Sequence, residues 1–290
     1  MPKFILWAGS KDKLLPQINE RLEAKLPNAQ YYLEPFLGGG SVLLSVLEKY
    51  PHLTCYANDK NAVLINTWNI LKTYPKELAE ELAVTSQYWH PTPKDDFLGM
   101  DRDTYRFSFQ EERAKLNRMI ATKSFGLPMA VSFLIVNHMG YNGLFRVNSK
   151  GFCNTPPGTY HAFPTKEELL QISALIQNVE FSSEDFSVFL KKFDNQSNTF
   201  VYADPPYLPI TKTSSFTDYT SGGFGEQEQR DLALLLKKHD FVAHGSWSEE
   251  LDPFYKEIYS NCNIAKVSAR RNINCKGSKR GKIQELIVNN

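Results

Sequence analysis

Residues 199–203, Thr-Phe-Val-Tyr-Ala, form a short apolar run that halts at Asp204-Pro205-Pro206-Tyr207, and this stop constrains the chain more than any other stretch. Proline cannot donate to a ladder, so residues 204–207 must lie where a strand leaves its sheet. In an open α/β sheet the carboxyl end of a strand is where ligands bind. An acid, a rigid turn with an available carbonyl and a ring suit a flat nitrogen heterocycle that carries an amino group. Asp204 and the Pro205 carbonyl can accept its two amine hydrogens while Tyr207 stacks on its face. The plainer reading of these four residues is a strand ending in a Pro-rich turn.

Two upstream segments point the same way. Tyr31-Tyr32-Leu33-Glu34-Pro35-Phe36-Leu37-Gly38-Gly39-Gly40-Ser41, followed by Val42, Leu43, Leu44, Val46 and Leu47, reads as strand, glycine turn and helix, which lets backbone approach a cofactor closely. Neither a P-loop Gly-Lys-Ser/Thr nor the dinucleotide fingerprint follows, so phosphate binding is the weaker interpretation. A second strand, residues 53–57, ends at Asn58-Asp59, nineteen residues after Gly40. An acid at that distance can hold paired ribose hydroxyls. Near the amino terminus, Ala8-Gly9-Ser10-Lys11 opens a helical pattern of Leu14, Leu15, Ile18, Leu22 and Leu26.

With 290 residues, 42% hydrophobic and 22% charged, the chain suits one large domain or a domain with a sizeable insertion. No apolar run approaches the roughly 20 residues that span a bilayer, and the start lacks a cleavage pattern, so a cytoplasmic location is expected. Cys55, Cys153, Cys262 and Cys275 show no C-x-x-C spacing, and the six histidines are dispersed, which argues against a metal site or a disulfide framework. A net charge of +1 does not itself point to nucleic acid. However, Arg270, Arg271, Lys276, Lys279, Arg280 and Lys282 fall within thirteen residues free of acids, either a solvated loop or a strip for phosphates.

The rhythm changes between residues 61 and 165. Two helical stretches, near 61–87 and 102–124, flank a Pro-rich loop, and residues 137–160 read as a hairpin with exposed aromatic and basic groups. There Arg146 can read a guanine edge, and Tyr141, Leu144 or Phe145 can wedge between bases; the alternative is a Gly/Asn-rich surface loop. Strand-and-helix alternation returns with a helix near 165–177 and a strand at 179–182 ending in Glu184-Asp185-Phe186. That pair either holds a cofactor's adenine or is a helix start capped by Asp185 over a core Phe186. A Thr/Ser/Gly-rich loop, 208–225, is placed to close over an extruded base. The last strands are expected at 241–245, 264–268 and 283–289.

In this order, these segments resemble the Dam/Dpn-type (D12 class) DNA adenine-N6 methyltransferases, which use S-adenosylmethionine (SAM). Asp204-Pro205-Pro206-Tyr207 resembles their catalytic motif, Glu34-Pro35-Phe36-x-Gly38-Gly39-Gly40 their cofactor motif, and Asn58-Asp59 their ribose site. Trp7-Ala8-Gly9-Ser10-Lys11 is similar to their W-x-G-G-K segment, with Ser10 replacing a glycine, and Asp185-Phe186 to their D-F pair. Tyr141-Asn142-Gly143-Leu144-x-Arg146-x-Asn148 resembles their recognition hairpin. The resemblance implies catalytic roles for Asp204, Pro205, Pro206 and Tyr207. It implies SAM contacts from Trp7, Lys11, Glu34, Phe36, Gly38, Gly40, Asp59, Asp185, Phe186 and Asp204. DNA contacts fall to Tyr141, Asn142, Leu144, Arg146, Asn154, Pro156 and Tyr160, joined by Arg270, Arg271, Lys279 and Arg280 of the basic run.

The implied fold is α/β: a Rossmann-like SAM-dependent methyltransferase sheet from residues 1–60 and 166–290. A mainly helical target-recognition domain carrying a β-hairpin, residues 61–165, is inserted in it. The expected enzyme is a monomer acting on double-stranded DNA without a metal, any cognate restriction endonuclease being a separate protein. Leu6 stands where Dam-type enzymes carry a lysine and Thr159 where they carry an arginine, so GATC is the nearest family target rather than a derived one. The rivals are an RNA or protein amino-methyltransferase, a cytosine-N4 enzyme and a noncatalytic DNA-binding protein with this fold.

Overall fold

The structure, a computed structural model, describes residues 3–88, 102–159, 161–209, 223–270 and 282–290. In chain order its elements are α1 (Leu15–Glu23), β1 (Tyr31–Glu34), α2 (Ser41–Lys49), β2 (Thr54–Asn58), α3 (Ala62–Thr73), α4 (Pro75–Tyr88) and α5 (Arg102–Thr122). There follow α6 (Leu127–Met139), α7 (Lys166–Leu175), β3 (Val179–Ser182), α8 (Phe186–Lys191) and β4 (Thr199–Ala203). The chain closes with α9 (Glu226–Leu236), β5 (Asp240–Ser246), α10 (Asp252–Ile258), β6 (Asn263–Arg270) and β7 (Lys282–Asn289). Packing divides them into two units, Lys11–Lys60 with Asn178–Asn290 and Met1–Ser10 with Asn61–Gln177.

The first unit carries a seven-stranded sheet in the order β3-β2-β1-β4-β5-β7-β6. β3 to β5 pair in parallel, and β7 inserts antiparallel between β5 and β6. This is the expected Rossmann-like architecture. Its central strands read as unbroken apolar runs because helices cover both faces of a parallel sheet; all five residues of β4 are buried. α9 and α10 supply one cover, where Leu232, Leu236, Tyr255 and Tyr259 pack with Val201, Phe241 and Leu286.

The second unit is helical. Asn61 starts α3 by accepting hydrogen bonds from the amides of Val63 and Leu64, both at 3.1 Å. The helical stretch expected over 61–87 is broken at Tyr74, whose φ of −131° and ψ of 51° leave the helix. Pro75 then begins α4, because the residue before a proline is pushed out of the α region. α6 was not expected: residues 129–139 are buried on every side, so they show no amphipathic stripe. Asn137, His138 and Met139 accordingly end this buried helix and do not open a hairpin. The hairpin itself is a thin ladder over residues 140–157, held by single bridges between Val147 and Cys153 and between Gly140 and Pro157.

Residues 3–10 pack in the helical unit: Phe4 meets Trp68 edge-on at 5.1 Å, and His138 Nε2 lies 3.1 Å from the Phe4 carbonyl oxygen. α7 also packs there, against α3 and α4. The loop expected over 89–96, most of the loop at 208–225 and most of the basic run lie outside the described residues. Among the described residues no helix is long and apolar enough to cross a membrane.

Candidate active site

β4 delivers Asp204 to the carboxyl end of the sheet, and the turn that follows is tied down along its length. Lys11 Nζ lies 2.7 Å from Asp204 Oδ2, and the Tyr207 hydroxyl lies 3.1 Å from Asp204 Oδ1. That hydroxyl is also 3.0 Å from Glu285 Oε2. The Gln229 amide of α9 donates to the Pro206 carbonyl at 3.1 Å, and Ser246 Oγ donates to the Leu208 carbonyl at 2.7 Å. Among the described residues the carbonyls of Pro205 and Tyr207 accept no hydrogen bond, so both remain acceptors of the turn without a protein partner.

Two acids, Asp204 and Glu285, and one cation, Lys11, meet in this cluster. Lys11 is 6% exposed at its side chain and Asp204 21%, so their ion pair is largely screened from water. Lys11 Nζ also sits 5.1 Å from the centre of the Tyr207 ring, a cation–π distance. Burial, then the charges of Asp204 and Glu285, hold the Tyr207 hydroxyl well above its ordinary pKa, so it remains a donor at neutral pH. Tyr202, one layer below, is raised by the same causes, burial first.

The glycine turn after β1 is built from two sides. Gly40 adopts a left-handed φ of 70° as it caps α2, a conformation that suits glycine. Asp59, at the end of β2, accepts the Gly38 amide at 3.0 Å, so the acid and the turn are one structure. Glu34 is 2% exposed and lies within the core: Tyr32 donates to its carboxylate at 3.0 Å, and it accepts the Leu43 amide in the first turn of α2. Burial pushes its carboxyl well above the usual carboxylate range against the pull of those two bonds.

Of the two readings of Asp185-Phe186, the structure shows the helix start capped by Asp185 over a core Phe186. Asp185 caps α8, accepting from the Ser187 amide at 3.0 Å and the Ser187 hydroxyl at 2.8 Å, while Phe186 is buried. Burial raises the Asp185 pKa but is outweighed by those bonds and by Lys60, leaving it lowered. Phe36 is half-buried beside it, 5.6 Å from Phe186 and 5.6 Å from Phe224, ring centre to ring centre.

Lys11, Glu34, Phe36, Gly38, Gly40, Asp59, Asp185, Phe186 and residues 204–207 thus share the sheet unit. The pattern of the D12 class N6 adenine-specific DNA methyltransferases matches residues 7–273. The chain belongs to this family. It is 35% identical to the type II methyltransferase M.MjaIII of Methanocaldococcus jannaschii, over 99% of this chain and 98% of that protein. The DNA adenine methylase of Haemophilus influenzae is 33% identical over 98% and 92%, and that of Escherichia coli K12 31% identical over 98% and 94%. The chain is therefore an adenine-specific DNA methyltransferase.

In this methyltransferase the hairpin residues expected to meet DNA belong to the helical unit, as does Trp7, whereas Arg270 of the basic run belongs to the sheet unit. Tyr141, Asn142, Arg146 and Pro156 are exposed, and Leu144 and Asn154 half-buried. Arg146 is pre-set by its neighbour, its Nε donating to Asn154 Oδ1 at 2.9 Å. Phe145 is a correction: it is 5% exposed and packs 5.1 Å from Phe133, so it is a core residue and cannot wedge between bases. Leu6 is clasped by Asn137, which accepts its amide at 2.8 Å and donates to its carbonyl at 2.7 Å. Tyr160, Arg271, Lys279 and Arg280 lie outside the described residues, and Arg270 ends β6.

Sequence reasoning missed Glu285, Gln229 and Ser246, all attached to the turn after β4. For Glu285 a signal existed, since it is a lone acid on a strand face shared with Ile287. Among the described residues no group of three or more His, Cys, Asp or Glu is arranged to hold a metal.

Proposed function

We propose that this enzyme transfers a methyl group from SAM to N6 of an adenine extruded from duplex DNA, with the sheet unit carrying the chemistry and the helical unit reading the target. The observation that carries the reading is the turn at 204–207, where the Asp204 carboxylate and the Pro205 carbonyl, which accepts no hydrogen bond among the described residues, are adjacent acceptors beside an aromatic ring.

The residues of the sheet unit fit SAM in kind. Asp59 provides a half-buried carboxylate for a ribose diol at the end of β2, and the turn at Gly38 and Gly40 admits close backbone approach. Phe36 and Phe186 provide apolar surface for an adenine ring, with Asp185 beside them. When bound, SAM supplies an electrophilic methyl group on a positively charged sulfur.

The chain's own residues do the rest. Adenine's exocyclic lone pair is delocalised into the ring, and inside a duplex the amine is out of reach, so extrusion costs a few kcal/mol that stacking on Tyr207 partly offsets. Lys11 lies against one side of the Tyr207 ring, so the stacked base takes the other. Each oxygen of a carboxylate has two acceptor sites, so Asp204 can bond Lys11 and Tyr207 and still accept an amine hydrogen. With the Pro205 carbonyl holding the second hydrogen, the nitrogen lone pair is aimed, and Asp204 stabilises the positive charge that grows on it.

The test is expression in a bacterium lacking adenine methylation, followed by single-molecule sequencing of its genome. Methyladenine at one short motif is the expected result, GATC being the first motif to check; a well-expressed protein that leaves every adenine bare defeats the reading. A second test concerns Asp59. Asp59→Ala is expected to weaken SAM binding about 10- to 100-fold, the worth of one hydrogen bond to a charged group. Asp59→Asn, which keeps an acceptor for the Gly38 amide, should lose less. Unchanged calorimetric affinity in the alanine variant would remove Asp59 from the cofactor site.

A further inference from the structure

We infer that Glu285 is a positioning residue for catalysis, acting through the Tyr207 hydroxyl to fix the ring on which the target base stacks. The inference rests on the proposed role of the turn at 204–207 and extends it to a strand that ends some 80 residues later.

The placement follows from topology. In the parallel part of the sheet only the last residues of a strand reach the carboxyl edge. β7 runs the other way, so an early residue of it reaches that edge: Glu285 pairs with Ser246, the last residue of β5. β7 lies between β5 and β6, one strand in from the edge of the sheet, and holds Glu285 on both sides, against Ser246 and Val267. An acid on so firmly paired a strand is a rigid support. Glu285 is also 9% exposed, on a strand whose following residues Leu286, Ile287 and Val288 are core. A carboxylate is retained in such surroundings only where it is hydrogen-bonded.

The hydrogen-bond count makes the arrangement specific. Tyr207 has one hydroxyl hydrogen, yet its oxygen lies 3.1 Å from Asp204 Oδ1 and 3.0 Å from Glu285 Oε2. The phenol therefore divides its hydrogen between two acids, and Lys11 on Asp204 Oδ2 offsets the crowding of negative charge. Mechanically, the ring is held at its root by the Pro-Pro turn and at its tip by β7. Without Glu285 the tip has only Asp204, the same group that must turn toward the amine. A base stacked on a swinging ring loses alignment, and small misplacements at a reacting centre are costly in rate.

A double-mutant cycle on the full-length enzyme tests this, with tritiated SAM and plasmid DNA lacking adenine methylation as substrates. Glu285→Ala is expected to lower kcat about 10- to 100-fold with the KM for SAM within about threefold. Glu285→Gln keeps an acceptor oxygen and should recover most of the rate. Tyr207→Phe keeps the ring and loses the hydroxyl, and in that background Glu285→Ala should cost nothing further, because both changes break one interaction. Three outcomes overturn the inference: Glu285→Ala as fast as the parent enzyme, an equal loss with and without the Tyr207 hydroxyl, or a loss in Glu285→Gln that matches alanine and falls together with SAM affinity and melting temperature. The last marks a merely structural acid. Failure of the underlying reading is separate, since it appears as full methylation by Asp204→Ala.

Discussion

Asp204→Ala is expected to lower kcat by about three orders of magnitude or more while leaving SAM affinity within a few fold. The change removes the acceptor that orients the amine and the charge that answers the positive nitrogen, and removal of one preorganised electrostatic group typically costs 100- to 1,000-fold. Loss of alignment of the amine adds to this. The substitution has a second, structural cost. It leaves Lys11, 6% exposed, without its 2.7 Å carboxylate partner, and because Asp204 is 21% exposed the penalty is discounted to about 1–3 kcal/mol. A melting temperature lower by several degrees should therefore accompany the loss of rate, without loss of the fold. Transfer of tritium from SAM to unmethylated DNA, with calorimetry on the same preparation, measures both quantities. A variant that still methylates adenine would show that the turn after β4 is not where the amine is held.

The parts legible in the sequence were those where local chemistry and fold agree. Residues 199–207 announced a buried strand and its exit, and β4 ends at Ala203. The strand at residues 179–182 was read to the residue, because Val179–Ser182 is followed by a capping acid. What escaped was decided by partners far along the chain. α6 is buried all round because other helices and Phe145 surround it, and a helix without a solvent-facing polar stripe has no period to detect. Glu285 stood out only as a lone acid on a strand, and its meaning lay unread because its partner, the Tyr207 hydroxyl, is 78 residues earlier in the chain. Gln229 looked like any polar residue on a helix, yet it is fully buried and ends on the Pro206 carbonyl.

Gly158→Ala is expected to weaken duplex DNA binding at least about tenfold while SAM binding stays as it is. Nothing at residue 158 of the sequence signals this. A Cβ there would lie 2.5 Å from both the Cα and the nitrogen of Tyr141 and 2.6 Å from the Gly140 carbonyl carbon. These are backbone atoms, so no rotamer change relieves the clash and the two strands must part. Parting them strains the bond from the Tyr141 amide to the Pro156 carbonyl and that from the Gly158 amide to the Met139 carbonyl, both 2.9 Å. With overpacking strain of about 1–3 kcal/mol and about 1 kcal/mol for each of the two weakened bonds, the hairpin loses about 3–5 kcal/mol. That shift displaces Tyr141, Asn142 and Arg146 together, whereas the residues proposed to hold SAM, apart from Trp7, belong to the other unit. Gly151→Ala is the matched control: its φ of 80° also disfavours a side chain, but a Cβ there meets nothing within 4 Å. It should cost only about 1–2 kcal/mol locally and leave the contact face in register. Fluorescence anisotropy with a labelled duplex separates the two variants, and equal affinities would mean that DNA is gripped elsewhere than at this hairpin.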